Sequence, residues 1–528
     1  MTAVTVAAWA SCPAWDALGG DASSNLPSDP VLNLMLEKGM ITEAEAAKVQ
    51  AQADALRTNP VAQFPPSKWN ISEGIKSIEV FGDLRLRYEE RSETAPAGHI
   101  NLDRYRYALR VGLRGEAFDD FVYGFRLETS SNPRSSWVTM GSSSSGYPYQ
   151  GPYGKATAGI TVGQIYAGWQ PTSWFDLTVG KMPNPLYTTP MVWSSSINPE
   201  GLAEHLKYTV GDADFFANFG QFLYQDENPA SATGGLGFNG LFGQTADNIF
   251  QIAWQGGVNY HITTNITAKI GATIYQYYGL KPSSQNQAIP PYFGDAYVGE
   301  GAYTGPGSAN AINGYSGYGT SSPLYTGGYN SLGFPNNQVG VNNLLVLEVP
   351  FELNFKFKRF DARIFGDVAY NLDGYQRAEA AAAGYAAYLA YGPNFTPANF
   401  HAFRPQTSEC KAYQVGLAIG SKDGLGLVNG STSKKHAWEV KTYWQHVEQY
   451  ALDPNLVDQD FFAGALNMQG FFAAVAYGFS DNFIGTFRYG RASRINRLLG
   501  TGGTGQDIPQ INPIDNYDLY QLDLTFRF

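Results

Sequence analysis

The chain has 528 residues, a net charge of −11 and two cysteines, with charged residues at 15% and aromatics at 14%. The acidic balance argues against a nucleic-acid binder, which requires a basic footprint, and Cys12 and Cys410 are too few for a disulfide framework or a cysteine metal cluster. No run approaches the roughly 18 apolar residues that a spanning helix requires, so the hydrophobicity is spread in short pieces, as in a transmembrane barrel.

Residues 1–27 open with MTAVTVAAWASCPAWDALGG, a small-residue apolar segment that fits the end of a secretory signal or a leader, although no Lys or Arg precedes it. From 28 to 58 the pattern is helical. SDPVLNLMLEKG opens at Pro30, carries Val31, Leu32, Leu34, Met35 and Leu36, and stops at Gly39. TEAEAAKVQAQADAL then begins with Thr42 and Glu45 at capping-box spacing, so a second helix is expected. This head is either a periplasmic docking element, with peptidoglycan or trimer contacts, or a helical hairpin without a partner. The stretch 59–74, with Pro60, Pro65 and Pro66, reads as an extended linker.

After Ile75 the period becomes two, and residues 75–528 are expected to form the barrel. In IEVFGDLRLRY, Ile78, Val80, Leu84, Leu86 and Tyr88 oppose Glu79, Asp83, Arg85 and Arg87. FQIAWQGGVNYHI repeats this with Phe250, Ile252, Trp254, Val258 and Tyr260, and LVLEVPFELNFKF with Leu345 to Phe357 against Glu348, Glu352, Asn354 and Lys356. Tight turns near 119–120, 171–173, 211–212, 263–264, 358–359 and 480–481 alternate with long Gly-, Ser- and Tyr-rich connections, the alternation of periplasmic turns with outer loops. The spacing predicts an all-β transmembrane barrel of about 16 antiparallel strands. The connection at 424–435 is too long for its place in that scheme, which leaves 18 strands as an alternative.

The stretch GKMPNPLYTTPMVWSSSINPEG, residues 180–201, interrupts the alternation. Pro183, Pro185, Pro190 and Pro199 restrict its backbone, so the loop can hold a shape without a hydrogen-bond ladder. It is expected to fold inward and narrow a lumen, with Tyr187, Trp193, Asn198 and Glu200 nearest the path; the alternative is a rigid outer cap or a trimer contact. Arg85 and Arg87 on the first strand share lumen-facing parity. Arg104, Arg106, Arg110 and Arg114 on the second do likewise, and Arg126 follows on the third. Such a basic wall would attract anions across from Glu200, Glu204, Asp367 and Glu439. Equally, these arginines could pair with Glu79, Asp83, Glu116 and Glu128 and simply solvate a polar interior.

GLGFNG at 235–240 and GTGGTG at 500–505 do not sit between a strand and a helix, so they carry no dinucleotide signal. DPNLVDQD within 451–468 has acidic spacing that could hold calcium but lacks the glycine of a calcium-binding loop. The six histidines are dispersed, no hydrolase motif is present, and no cofactor or metal is expected. The chain ends YDLYQLDLTFRF, with Tyr520, Leu522, Leu524, Phe526 and Phe528 on one face to close the sheet against the first strand. This ending looks like the C-terminal assembly signal that the bacterial outer-membrane insertion machinery recognises.

The GKMPNP and NPEG elements, together with MLEKGMITEAEAAK at Met35–Lys48, resemble a family of Gram-negative putative porins. The resemblance implies a channel in the bacterial outer membrane, in contact with its lipid and assembled as a homotrimer. On that basis passive diffusion of small hydrophilic solutes or ions is expected. A structural or adhesive barrel, or a sheath for an electron-transfer partner, is the competing expectation.

Overall fold

Side chains that alternate in polarity are satisfied by a sheet with an apolar medium, lipid or a protein core, on one side and water or polar groups on the other. In the computed structural model these segments form one antiparallel sheet that closes on itself. The structure describes residues 74–95, 98–118, 120–130, 135–141, 159–225, 249–278, 344–378, 409–453, 456–496, 501 and 514–528, with 38, 40, 42, 44–46 and 48. The chain divides into two units, Met1–Ser72 and Glu73–Phe528. The leader, the linker, the first expected helix and most of the long outer loops lie outside the described residues.

In the first unit, Ala44–Ala46 and Lys48 are helical. Their entry carries the reciprocal cap expected from sequence: the Thr42 N–H donates to Glu45 Oε2 at 2.9 Å and the Glu45 N–H to Thr42 Oγ1 at 3.3 Å. These bonds satisfy amides that the helix itself leaves without partners.

The second unit begins with β1 (Glu79–Ala95), β2 (Gly98–Ala117), β3 (Phe121–Ser130), the two-residue β4 (Val138–Thr139), β5 (Gly159–Thr172) and β6 (Phe175–Lys181). It continues with β7 (Glu200–Val210), β8 (Ala213–Gln225), β9 (Ile249–Thr263), β10 (Ile266–Tyr278), β11 (Leu345–Lys356) and β12 (Phe360–Asn371). The last strands are β13 (Lys411–Ser421), β14 (Trp438–Val447), β15 (Met468–Gly478), β16 (Phe483–Arg494) and β17 (Asn516–Arg527). Apart from β4, so that β3 pairs with β5, each strand pairs with the next along the chain, and β1 pairs with β17 from Asp83↔Arg527 to Thr94↔Asn516. β4 only extends the contact with β2 at Arg106 and Tyr107, so the wall has the sixteen strands expected and not eighteen. The connection 422–437 joins β13 to β14 on the short-turn side by turns, without a strand pair.

The outward face is apolar. Val80, Leu109, Ile165, Ile270, Ile364, Val415, Val475, Phe487 and Leu522 are all exposed there. Aromatic residues rim this band. Phe121, Trp169, Tyr208, Tyr260, Phe360 and Trp438 lie toward the short turns, and Tyr105, Tyr278, Tyr370, Tyr413 and Tyr520 toward the long loops. An apolar belt between two aromatic girdles is how a barrel meets a bilayer.

The seam depends on one small residue. The Gly82 N–H donates to the Phe528 carbonyl at 2.9 Å, and a Cβ added at Gly82 would strike the Arg110 carbonyl of β2 as well as the Phe528 ring, whose Cζ lies 2.6 Å away. Gly82→Val should displace that ring and loosen the closing seam. The expected result is a lower midpoint for the heat-dependent gel shift of the folded protein; an unchanged midpoint would separate Phe528 packing from closure.

Candidate functional site

The loop between β6 and β7 leaves and re-enters the wall at the two glycines of its motif. Gly180 (φ 121°) and Gly201 (φ 153°) face each other in register, and a Cβ on either would strike the backbone of the next strand. Only glycine serves at such positions. Residues 182–199 then cross the lumen and fasten to the far wall. The Tyr187 N–H donates to Gln255 Oε1 and Gln255 Nε2 donates to the Tyr187 carbonyl, both at 2.8 Å. The Thr188 hydroxyl donates to Glu348 Oε1 at 2.6 Å, and the Thr189 hydroxyl to Asp367 Oδ2. β9, β11 and β12 thus hold one short turn of the loop.

The four loop residues singled out from sequence occupy different places. Tyr187 reaches an open cavity. Trp193 does not line a path: it is 3% exposed and packs on Phe222 and Tyr275 of the wall. Asn198 fastens the returning limb, donating to the Gly163 carbonyl at 2.9 Å and accepting from Gln164 at 3.0 Å. Glu200 opens β7 as an exposed residue paired with Lys181 at 2.6 Å. Glu204 shares the outward parity of Leu206 and Tyr208, opposite to the inward placement its position suggested.

A second inward loop was not legible. Residues 448–467, between β14 and β15, bury Tyr450, Leu452, Phe461, Phe462 and Leu466 inside the barrel. The two loops meet: the Ser194 N–H donates to the Leu456 carbonyl at 2.6 Å and the Asp458 N–H to the Pro190 carbonyl at 3.1 Å. From the short-turn side, 422–437 adds buried Leu427 and Val428, with the Gly426 and Val428 N–H groups on Glu439 Oε2 at 3.1 and 2.7 Å. Asp453, Asp458 and Asp460 of DPNLVDQD are therefore engaged in internal contacts. Asp453 accepts from Tyr277 at 2.6 Å, Asp460 accepts from Arg87 at 2.8 Å, and the described residues contain no cluster of metal-ligating groups.

The arginine wall exists, but it is paired, and around Glu89 it is also covered. Glu89, fully buried, takes Arg104 Nη2 at 2.5 Å, Arg91 Nε at 3.1 Å, Arg87 Nη1 at 3.5 Å and Arg106 Nη1 at 3.7 Å. Arg87 also binds Asp523 at 2.6 Å. Arg85 and Arg110 share Asp83, Arg114 pairs with Glu79 at 2.7 Å and Arg126 with Glu128 at 3.0 Å. The pairing alternative holds through Glu79, Asp83 and Glu128. Glu89 and Asp523 carry the inward parity that could have revealed them, whereas nothing local marked Asp460.

Asp460 keeps 32% side-chain exposure to the lumen. Burial opposes its ionisation, but the Arg87, Arg91 and Arg488 guanidinium groups outweigh this and hold it down to about 2. Burial, then the neighbouring Asp460 carboxylate, pushes Asp458 up to about 6.

Open space remains on the other wall. Under Tyr187 lies a cavity of about 610 Å³ lined by the inner faces of β7 to β11, including His205, Lys207, Asn218, Asn259, Lys269 and Glu352. Lys269 Nζ sits 3.9 Å from the centre of the Tyr187 ring and 5.3 Å from that of Phe216.

Residues 91–528 match the family model described as "putative porin". No functionally curated protein matches the chain. Among solved structures, in-vitro folded OmpT, an outer membrane protein of Vibrio cholerae, is 9% identical with a TM-score of 0.38, covering 87% of this chain and 100% of its own. Pseudomonas aeruginosa OpdQ is 10% identical at 0.36, covering 87% and 99%. A substituted Rh. blastica porin is 9% identical at 0.35, covering 86% and 100%.

Arg87→Met would remove one guanidinium shared by Glu89, Asp523 and Asp460, which keep Arg91, Arg104 and Arg488, so the cost should fall below the roughly 3–5 kcal/mol of a wholly unpaired buried charge while still exceeding that of an exposed pair. Chemical unfolding in detergent should show that loss, with little change for Arg114→Met, whose pair is exposed. The loop should also respond to pH. Asp458 is raised above its ordinary 3.8, so the stability it lends is complete below about pH 4 and is lost as pH rises through about 6. Asp460 is depressed, so its share is present above about pH 4 and lost as pH falls through about 2. After correction for intrinsic rates, amides of 456–466 should be better protected from hydrogen exchange at pH 5 than at pH 7.5, and Asp458→Asn should flatten the difference. Equal protection in the wild type would remove Asp458 from the anchorage.

Proposed function

Because the chain belongs to the porin family matched by residues 91–528, whose barrels lie in the bacterial outer membrane, we propose that it is a passive diffusion channel for small hydrophilic solutes or ions. Transport would follow the concentration gradient through a lumen narrowed by residues 183–201 and, beside them, 448–467. The observation that carries this reading is the fastening of Tyr187, Thr188 and Thr189 to Gln255, Glu348 and Asp367 across the lumen, because a loop held at both limbs and at its tip can keep a fixed aperture.

A homotrimer is the assembly we favour. Glu204 and Gln221, hydrogen-bonded at 3.4 Å on the outward face, are poorly accommodated by lipid and better by a neighbouring barrel. We assign Phe528 and its strand to recognition by the insertion machinery, and 28–58 to a periplasmic or peptidoglycan contact.

Purified protein in a planar bilayer should give discrete conductance steps, and a variant lacking Thr188–Ser194 should give larger ones. Silence from protein that still shows the folded, heat-modifiable gel band would favour a structural or adhesive barrel, or a sheath for an electron-transfer partner.

A further inference from the structure

The basic wall and the open space do not coincide. The arginines of β1 and β2 lie against loop 448–467 and carboxylates, whereas the cavity follows β7 to β11. Any solute using that cavity meets a different set of charges. Its two acids already have partners: Asp214 accepts from Thr209 at 2.6 Å and lies 3.2 Å from His261 Nε2, and Glu352 lies 3.7 Å from Arg363. Its two lysines lie in the field of those acids, Lys269 opposite Glu352 in the strand register and Lys207 near Asp214, without being hydrogen-bonded to them. Among the described residues, neither Lys207 nor Lys269 has a carboxylate oxygen within 4.0 Å.

Resting on the channel reading above, we propose that this cavity is the selectivity site, and that it takes small organic anions whose carboxylate or phosphate is held by Lys269 and Lys207. Lys269 is positioned by the faces of Tyr187 and Phe216, which stabilise an ammonium without neutralising it. Its charge therefore stays available to an incoming oxyanion. Asn218 and Asn259 add polar lining, while Pro185 and Leu186 offer an apolar surface to the organic part of the solute. A cavity of about 610 Å³ admits a molecule of metabolite size. The constriction loop supplies both the roof and, through Tyr187, the clamp on the selecting cation.

The test compares wild type, Lys269→Gln, Lys207→Gln and the double variant, each first shown to be folded by its heat-modifiable gel band. In bilayers under a potassium chloride gradient, the wild type should favour chloride and the double variant should lose at least half of that preference. Succinate and glycerol phosphate should interrupt the wild-type current, with at least tenfold weaker block in the double variant; succinamide should block neither. Preferential block by one anion identifies which oxyanion the site takes. Selectivity and block unchanged in conducting variants would overturn the proposal. Calorimetric titration of succinate and glycerol phosphate into the detergent-solubilised full chain keeps the two readings separate. Lysine-dependent binding without any wild-type conductance would sink the channel and keep the anion site, whereas absence of lysine-dependent binding for both ligands would sink the site even if conductance persists.

Discussion

Hydrocarbon offers a peptide group no hydrogen-bond partner, and every other feature of the barrel follows from that constraint. A strand placed there must find neighbours on both sides, so sixteen wall strands have to end where they began, with β17 along β1. Closure fixes the register, and the register fixes which parity faces lipid. The same alternation then sends Asp83, Arg87, Glu89, Arg104, Arg106 and Asp523 inward, where they must be solvated or paired.

They are mostly paired. Four arginines around one buried glutamate would be a poor arrangement without further anions, since buried charge is tolerated only when its partners are complete. Asp523 on the neighbouring strand and Asp460 on loop 448–467 complete them. The loop that covers the arginines is thus held by the charges it covers. What the sequence presents as a basic wall is, in three dimensions, part of the anchorage of a loop.

The two inward loops use different means. Loop 182–199 is stiff by its prolines and fastened by side chains of the wall, with Gln255 serving as a two-pronged clamp on the Tyr187 backbone. Loop 448–467 is held by an apolar cluster that includes Phe461, Phe472 and Tyr443, and by the arginines. They touch through Ser194 and Leu456, and through Pro190 and Asp458, so the seating of one loop is coupled to that of the other.

By itself the sequence determined the barrel, a wall of about sixteen strands with eighteen left open, the parity of the arginines, the capping of the helix at Thr42, and the special character of 180–201. Each of these depends on alternation, turn chemistry, capping or proline and glycine spacing within a short stretch, which a linear reading can follow. Only the tertiary structure decided that Trp193 is packed against the wall, that Glu204 points outward, and that Asp460 meets Arg87. It also decided that 422–437 folds inward instead of adding strands, and that Lys269 rests on Tyr187. Those outcomes depend on which residues, distant along the chain, are brought together by closure of the barrel. Lys269 and Tyr187 lie on different elements, and only closure and the descent of the loop put an aromatic face under that ammonium.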